Sequence, residues 1–335
     1  MAVATETSAG MTLAQKVLGS PTLRLAGRRL VAVIPVLLGV TFLTYVVMNL
    51  LPGDTAQVLL GANATPAQVH QLEVKLHLNE PFWVRYGGWL GGAIHGNLGT
   101  SLASGENVTT ILGQRLPVTA ELLIYAFVGS VVLAVLLAVL AARRPNGLAD
   151  RFSVVISMTG LSVAPYVLAV VLVYVFAVKL QWFPAIGYTP LTEDPLANIR
   201  SLTLPAIAVG FPLFAVYTRL LRADIVEQMQ REGYIVTARA KGVPQWHILI
   251  RHALPNSMFG LITLVALNLG ALVGAVAIIE PIFSLPGVGA ILISSISNHD
   301  VPIVEGVVLV FALVVVLAAL AADLLYAVLD PRIRL

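Results

Sequence analysis

Six stretches of the chain are apolar at nearly every position: Val31–Leu51, Thr119–Ala142, Ser153–Val178, Leu204–Thr218, Met258–Ile279 and Ile303–Leu325. Most exceed the ~18 consecutive apolar residues that mark a membrane-crossing helix. Blocks this long and this apolar have no need to exist in a water-soluble core. The fourth is short. It reaches full length only if Arg219 and Arg222 lay their stems along its inner end and keep their heads in water. The pattern therefore predicts an all-α membrane protein with six transmembrane helices. Gly160 and Pro165 in the third span, and Pro205, Gly210 and Pro212 in the fourth, permit bends. Gly270-Ala-Leu-Val-Gly274 in the fifth is a small-xxx-small pattern that lets another helix approach closely, from this chain or from a partner.

The polar segments between the spans carry helix signals of their own. The longest connection on one side, Pro52–Val118, contains Thr65-Pro-Ala-Gln68, a capping box with proline at the first helical position; it predicts a helix over 66–77. Pro81–Leu90 brings together Phe82, Trp83, Tyr86 and Trp89, a set suited to lying along a bilayer surface. These aromatics read either as interface anchors or as part of a docking surface. Asn107 is placed to cap a short helix, Val108–Arg115. On the other side, Arg219–Asn256 is the longest connection. Arg222–Arg231 extends the fourth span, with Glu227 and Arg231 at i,i+4 spacing. Gly233 bends or breaks the helix, and Tyr234–Lys241 forms a second, short one. Tyr234, Ile235 and Ala238 share a face, with Arg239 directed elsewhere. Lys241 suits the negative end of that helix, Gly242 the left-handed residue just past it, and Pro244 forbids continuation and opens a third short helix, Gln245–His252.

Charge sets the orientation. Of 335 residues only 11% are charged, against ~25% in an ordinary soluble domain. Fifteen of the 20 lysines and arginines fall on the side that holds both termini and the 219–256 loop, and five on the other. The positive-inside rule then places both termini in the cytoplasm. The basic balance reflects topology, and no nucleic-acid partner is expected. Arg28 and Arg29 precede the first apolar run, as in a signal peptide, but no small-x-small cleavage site follows, so a retained first helix is expected. Residues 1–27 read as a cytoplasmic tail and 28–335 as the membrane domain. The absence of cysteine excludes disulfides and thiol chemistry.

Several function classes drop out. There is no G-x-x-x-x-G-K-[ST] loop to cradle nucleotide phosphates and no G-x-S-x-G elbow, and the six histidines lack tight metal-ligand spacing. The chain is not expected to be an enzyme or to hold a cofactor. Glu121, Lys179, Glu280 and Glu305 fall at the outer ends of spans and Asp323 near an inner end, so mid-depth carboxylates of the kind that couple ions to transport are missing. Uphill transport would need energy from another subunit.

The stretch GYIVTARAKGVPQWHILIRHALPN (233–256) resembles the EAA loop of ABC importer permeases, in the form found in dipeptide and oligopeptide permeases. Aligned on Gly242, the Glu-Ala-Ala positions hold Val236, Thr237 and Ala238, and the Ile-x-Leu-Pro positions hold His252, Ala253, Leu254 and Pro255. Glutamate is thus replaced by valine, and isoleucine by histidine. RRLVAVIPVLLGVTFLTYVVMNLLPGDTA (28–56), GNLGTSLASGENVTTILGQRLPVTAEL (96–122), EPIFSLPGVG (280–289) and LDPRIRL (329–335) resemble further segments of that peptide/nickel branch, in its first (B-type) permease.

The resemblance implies a type I ABC importer permease fold in the bacterial plasma (inner) membrane. It implies pairing with a second, homologous permease and with two cytoplasmic ATPases, and delivery of solute by an external substrate-binding protein. Tyr234, Ile235, Thr237, Ala238, Arg239, Ala240, Lys241 and Gly242 would form the coupling helix that the ATPase grips. Pro165, Pro212, Gly270 and Gly274 would serve the translocation path or helix packing. Trp83, Trp89, Glu280, Pro286 and Gly287 would belong to the outer gate or to the docking surface for the binding protein. The solute stays open among dipeptides, oligopeptides, glutathione, nickel chelates and haem. A stand-alone secondary carrier is the alternative from another class.

Overall fold

The computed structural model describes residues 21–51, 55–61 and 63–329, with the side chains of 21–30, 266 and 322–329 excepted. The terminal LDPRIRL lies almost wholly outside these residues. The regular secondary structure of the described residues is helical, apart from one isolated bridge between Thr100 and Asn107. Along the chain run α1 (Pro21–Leu50), α2 (Thr55–Leu60), α3 (Pro66–Lys75), α4 (Phe82–Ile94), α5 (Val108–Arg143), α6 (Leu148–Ser162) and α7 (Pro165–Leu172). They are followed by α8 (Pro195–Arg231), α9 (Gly233–Ala240), α10 (Gln245–Ile248), α11 (Leu254–Ile282), α12 (Val288–Ser297) and α13 (Val301–Leu329). Two π-helical segments, Val173–Lys179 and Leu249–Ala253, extend α7 and join α10 to α11.

Five of these helical stretches are long and apolar enough to cross a membrane, and α6 with α7 makes a sixth span bent by 110°. The bend falls at Val163–Ala164. Pro165 supplies no N–H, and its ring forces Ala164 into an extended conformation (ψ 140°). The third span is therefore two helices where the apolar block Ser153–Val178 suggested one. The fourth span is far longer than its apolar stretch. At 37 residues, α8 is about 55 Å long at 1.5 Å per residue, so it projects well beyond a ~30 Å hydrocarbon core. Arg222 does not snorkel there. It grips the buried Asp150 of α6 bidentately, through Nε to Oδ1 and through Nη2 to Oδ2 at 2.9 Å, while Asp150 Oδ2 also accepts the Asn146 N–H at 2.8 Å.

The core forms around the pair α5–α8. Leu122, Ala126, Ser130, Ala134 and Ala138 are buried at every fourth position of α5, a seam of mostly small side chains that lets α8 approach. Gly210 marks the closest approach: a Cβ there would lie 2.8 Å from the Ala126 carbonyl oxygen. On α8, Leu213, Tyr217, Leu221 and Ile225 continue the same cluster towards the basic end, where Ile235, Ile248 and Leu249 join it. A second, smaller core lies at the opposite end, built from Leu98, Val108, Ile111, Leu112, Val288, Ile303 and Val307. It joins the loop before α5 to the starts of α12 and α13.

α1 packs against α13 and leaves most of its apolar surface uncovered. α4 is pinned to α1 by aromatic contacts: the Tyr86 ring lies 5.5 Å from Phe42 and 5.4 Å from Tyr45, and the Tyr86 and Thr41 hydroxyls are 3.0 Å apart. Arg85 adds a bond to Asn49 at 2.6 Å. The capping box at Thr65 forms, and its helix stops at Lys75. Asn107 does cap a helix, but that helix is continuous with the second span to Arg143. Pro117 lies inside it without ending it, and Val118, Leu122 and Ala126 just beyond are buried in the main core.

Candidate functional site

On the basic side, α8 ends at Arg231. Glu232 is extended (ψ 127°), and α9 begins at Gly233. The far end of α9 is closed by two reversed hydrogen bonds, Gly242 N–H to the Arg239 carbonyl at 2.9 Å and Val243 N–H to the Ala238 carbonyl at 3.2 Å. Gly242 sits at φ +76°, the left-handed residue that such a Schellman end requires. Val243 and Ala238, the apolar pair that accompanies this motif, both pack on the main core.

The helix thus divides into two faces. Ile235 is fully buried and Ala238 half-buried, which fastens α9 to the bundle. Tyr234 ties neighbouring helices together: its hydroxyl donates to Gln228 of α8 and accepts from Asn256 of α11 at 2.9 Å. Arg239 turns back and donates from Nη2 to the Met229 carbonyl near the end of α8, at 2.8 Å. The outward face consists of Val236, Thr237, Ala240 and Lys241, all exposed. Val236, 58% exposed, escaped the list of expected contact residues. Its spacing from Ala240, one helical turn on, is the sequence signal that places it there.

The opposite end is built around buried carboxylates. Glu280, at the end of α11, is wholly buried. Its Oε1 accepts from Thr119 Oγ1 at 2.6 Å and its Oε2 from the Ala290 N–H at 2.9 Å, while Thr119 Oγ1 in turn accepts from the Val288 N–H at 2.8 Å. The carboxylate therefore caps the N-terminus of α12, where the free N–H groups and the helix dipole favour negative charge. A Cβ at Gly287 would fall 2.1 Å from Glu280 Oε1, so only glycine admits this arrangement. Gly287 is buried with Glu280, whereas Pro286 beside them is exposed. Asp300 does the same for the loop before α5, accepting from Ser101 Oγ at 2.5 Å and from the Leu102 and Ala103 N–H groups at 3.1 and 3.3 Å. Trp83 is 64% exposed, while Trp89 is half-buried against the smaller core with its Nε1 covered. Thr119 and Asp300 carried no signal in the sequence, because their partners lie more than 150 residues away.

A third cluster tops the α5–α8 seam. Glu121 Oε2 accepts from Tyr188 at 2.9 Å and from Asn198 Nδ2 at 2.8 Å, and Asn198 Oδ1 accepts from Tyr125 at 2.9 Å. Burial, and then the bond to Glu121, push the Tyr188 phenol up to about 12. Beneath it a cavity of about 550 Å³ opens between α5 and α8, walled mainly by apolar side chains including Ile207, Phe211 and Phe214. Of the residues expected to serve the path or the packing, Pro165 makes the break in the third span and Pro212 lies half-buried within α8. Gly270 faces Val315 of α13, 3.7 Å from where its Cβ would be, and Gly274 faces open space.

Known proteins place this architecture. The chain matches the model of the binding-protein-dependent transport system inner membrane component over residues 131–335, and the N-terminal model of the corresponding membrane component over 22–123. It is 36% identical over 307 residues to a putative peptide transport system permease protein of Brucella abortus, covering 92% of this chain and 98% of that one. It is 35% identical over 330 residues to the dipeptide transport system permease protein DppB of Alkalihalophilus pseudofirmus, again covering 92% and 98%. A probable peptide ABC transporter permease protein of Sinorhizobium fredii is 34% identical over 307 residues, with the same coverage. Length, spans and homology agree, and this multi-pass membrane protein belongs to the family of binding-protein-dependent transport system inner membrane components.

Proposed function

We propose that this chain is a permease subunit of an ATP-driven importer that carries peptides across the plasma membrane. Solute is delivered by an external binding protein, and α9 is the element gripped by a cytoplasmic ATPase. The observation that carries this reading is the build of α9. It is a short rigid helix, separated from α8 by one extended residue, firmly capped at Gly242 and anchored through Ile235. Such a body transmits a push to the spans without unfolding, as a transporter with two global states needs. Its free face, Val236, Thr237, Ala240 and Lys241, is small and cationic, and suits a cleft that the partner provides. The basic excess on this side supports a cytoplasmic location for the loop and for both termini. The family supports dependence on a binding protein, and a second permease of the same kind would complete the path.

Peptide as the solute is supported by the names of the relatives, among them a dipeptide transport permease. The largely apolar cavity between α5 and α8 fits a path that tolerates varied side chains, leaving selectivity to the binding protein. The test is purification from native membranes. Two ATPase subunits and a sister permease should travel with the chain, any trapped solute should be peptide by mass spectrometry, and Thr237→Glu with Ala240→Glu should release the ATPases while the permease pair persists. Uphill transport by the purified chain alone would overturn the reading in favour of a secondary carrier. Recovery of glutathione, a nickel chelate or haem would overturn the peptide assignment only.

A further inference from the structure

On the basic side of the molecule, a cleft of about 440 Å³ lies between the ends of α5 and α8 and the helices α9 and α10. Arg143, Arg144 and Arg239 all line it. The ion pairs among the described residues involve His70, His77, Arg222 and Arg231, so none of these three guanidinium groups has a carboxylate partner there. Arg143 lies against the Trp246 ring, 5.4 Å from its centroid. Arg239 spends one N–H on the Met229 carbonyl, leaving four of the five donors of a guanidinium uncommitted. Three unpaired cations around one concavity repel each other, and an anion placed among them relieves that repulsion. Gln230 and Gln245 add neutral donors at the rim, and Ala142, Val226, Met229 and Leu249 form an apolar floor.

We propose that this cleft binds the phosphate-bearing headgroup of an anionic phospholipid, with Arg143, Arg144 and Arg239 as its ligands. Depth selects lipid over a soluble anion. Arg143 and Arg144 follow the last apolar turn of the second span, and Trp246 stands at the edge of the cleft, the side chain typical of the membrane–water boundary. Phosphate lies at that level in a bilayer, and basic pockets beside membrane helices on the cytoplasmic side recognise it. The apolar floor receives the glycerol and the first methylenes. Direction selects lipid over an acidic partner protein: Arg239 points back towards α8 and away from the exposed face of α9 formed by Val236, Thr237, Ala240 and Lys241. A bound headgroup bridges α5 to α9, so the lipid braces α9. That consequence rests on the proposed role of α9, whereas lipid retention does not.

The experiment is native mass spectrometry of the purified complex after exchange into equal parts phosphatidylglycerol and phosphatidylcholine. The wild type should retain phosphatidylglycerol selectively. Arg143→Gln with Arg144→Gln, and separately Arg239→Gln, should lower retention by about fivefold for each arginine removed. Arg231→Gln, outside the cleft, should leave retention unchanged. Arg143→Lys with Arg144→Lys should keep most of the lipid; a loss equal to that of the glutamine pair would show that packing rather than charge was removed, and would overturn the assignment. It is also overturned by equal retention of the two lipids in the wild type, by full retention in the double glutamine variant, or by displacement of the lipid with inorganic phosphate. A cross-link from position 144 to an ATPase subunit in a complex free of lipid would assign the cleft to protein contact instead.

Discussion

The two ends of the molecule hold their polar groups in opposite ways. At the end away from the basic loop, outer in the orientation proposed above, Glu280 and Asp300 are buried, and each carboxylate is spent on N–H and hydroxyl donors of another segment. At the inner end the charges of α9 are exposed and no carboxylate holds it: its fastening is a backbone cap at Gly242, the apolar Ile235, the phenol of Tyr234 and one bond from Arg239 to a backbone carbonyl. Removing one partner of a buried carboxylate leaves donors stranded without water, which is expensive, while removing an exposed charge costs little. The outer hairpin is thereby welded to the bundle, and α9 is a separately built handle. Changes outside should damage the fold, and changes inside should damage communication with partners while sparing the fold.

The largest expected effect is Glu280→Ala. It strands Thr119 Oγ1 and the Ala290 N–H in a buried place, at a cost of about 3 kcal/mol or more. The thermal unfolding midpoint of the purified chain should drop by several degrees and its yield should fall. Gly287→Ala, which drives a methyl into the same carboxylate, should reproduce most of that loss. A Glu280→Ala variant as stable as wild type would break the contrast from its outer side.

Asp150→Ala tests the contrast from the inner side, because it removes the one buried carboxylate there that is paired with arginine. Arg222 keeps 28% exposure when paired and recovers water in part, so the cost should be about 2 kcal/mol rather than the ~3–5 kcal/mol of a fully enclosed pair. Chemical denaturation should show it. If the variant instead behaves like an exposed-charge change, the position of a charge on the inner side, and not its burial, sets its importance.

Gly242→Val comes next. A β-branched residue held at φ +76° carries about 1–3 kcal/mol of local strain, confined to the end of α9. Hydrogen exchange over 233–240 should quicken and the ATPase subunits should be lost on purification, while global unfolding stays near wild type. Loss of stability equal to that of Glu280→Ala would show that α9 is part of the weld.

These regions were not equally readable from the chain. The α9 segment was legible because every signal is local: Gly233, the alternation of small and basic residues, Gly242 and Pro244 all act within ten positions of one another. The capping box at Thr65 was legible for the same reason. The outer hairpin was not, since Glu280 meets Thr119 and Asp300 meets Ser101 only once the spans have packed. Apolar blocks located the spans, and the two departures from them were signalled locally, by Pro165 in the third and by Arg222–Arg231 as a helical extension of the fourth. The third is broken because Pro165 acts on Ala164 before packing has a say. The fourth outruns its apolar stretch because Asp150 and the core below Tyr217 hold α8 helical beyond it. On α9 the short helix and its stop at Gly242 were foreseen, but the side on which Arg239 lies depended on a carbonyl ten residues earlier.

The smallest effect is expected at Tyr188, and it sharpens the comparison by probing an outer-side cluster that is only half-buried. The phenol is raised from its ordinary 10.0 to about 12, first by burial and then by its hydrogen bond to Glu121. Because the folded value lies above the unfolded one, the neutral phenol favours folding. Its contribution is complete below pH about 10 and is lost as pH rises through about 12. Tyr188→Phe removes a single hydroxyl bond, worth about 1 kcal/mol, and should take with it that share of the alkaline loss of stability while leaving neutral pH behaviour otherwise intact. The measurement is the ultraviolet titration of tyrosinate in wild type minus variant. A difference that titrates near pH 12 is the outcome expected of a half-buried phenol bonded to Glu121. A difference that titrates near pH 10 would show the phenol neither buried nor bonded to the carboxylate, and Tyr188 would then stand apart from the buried pairing seen at Glu280 and Asp300.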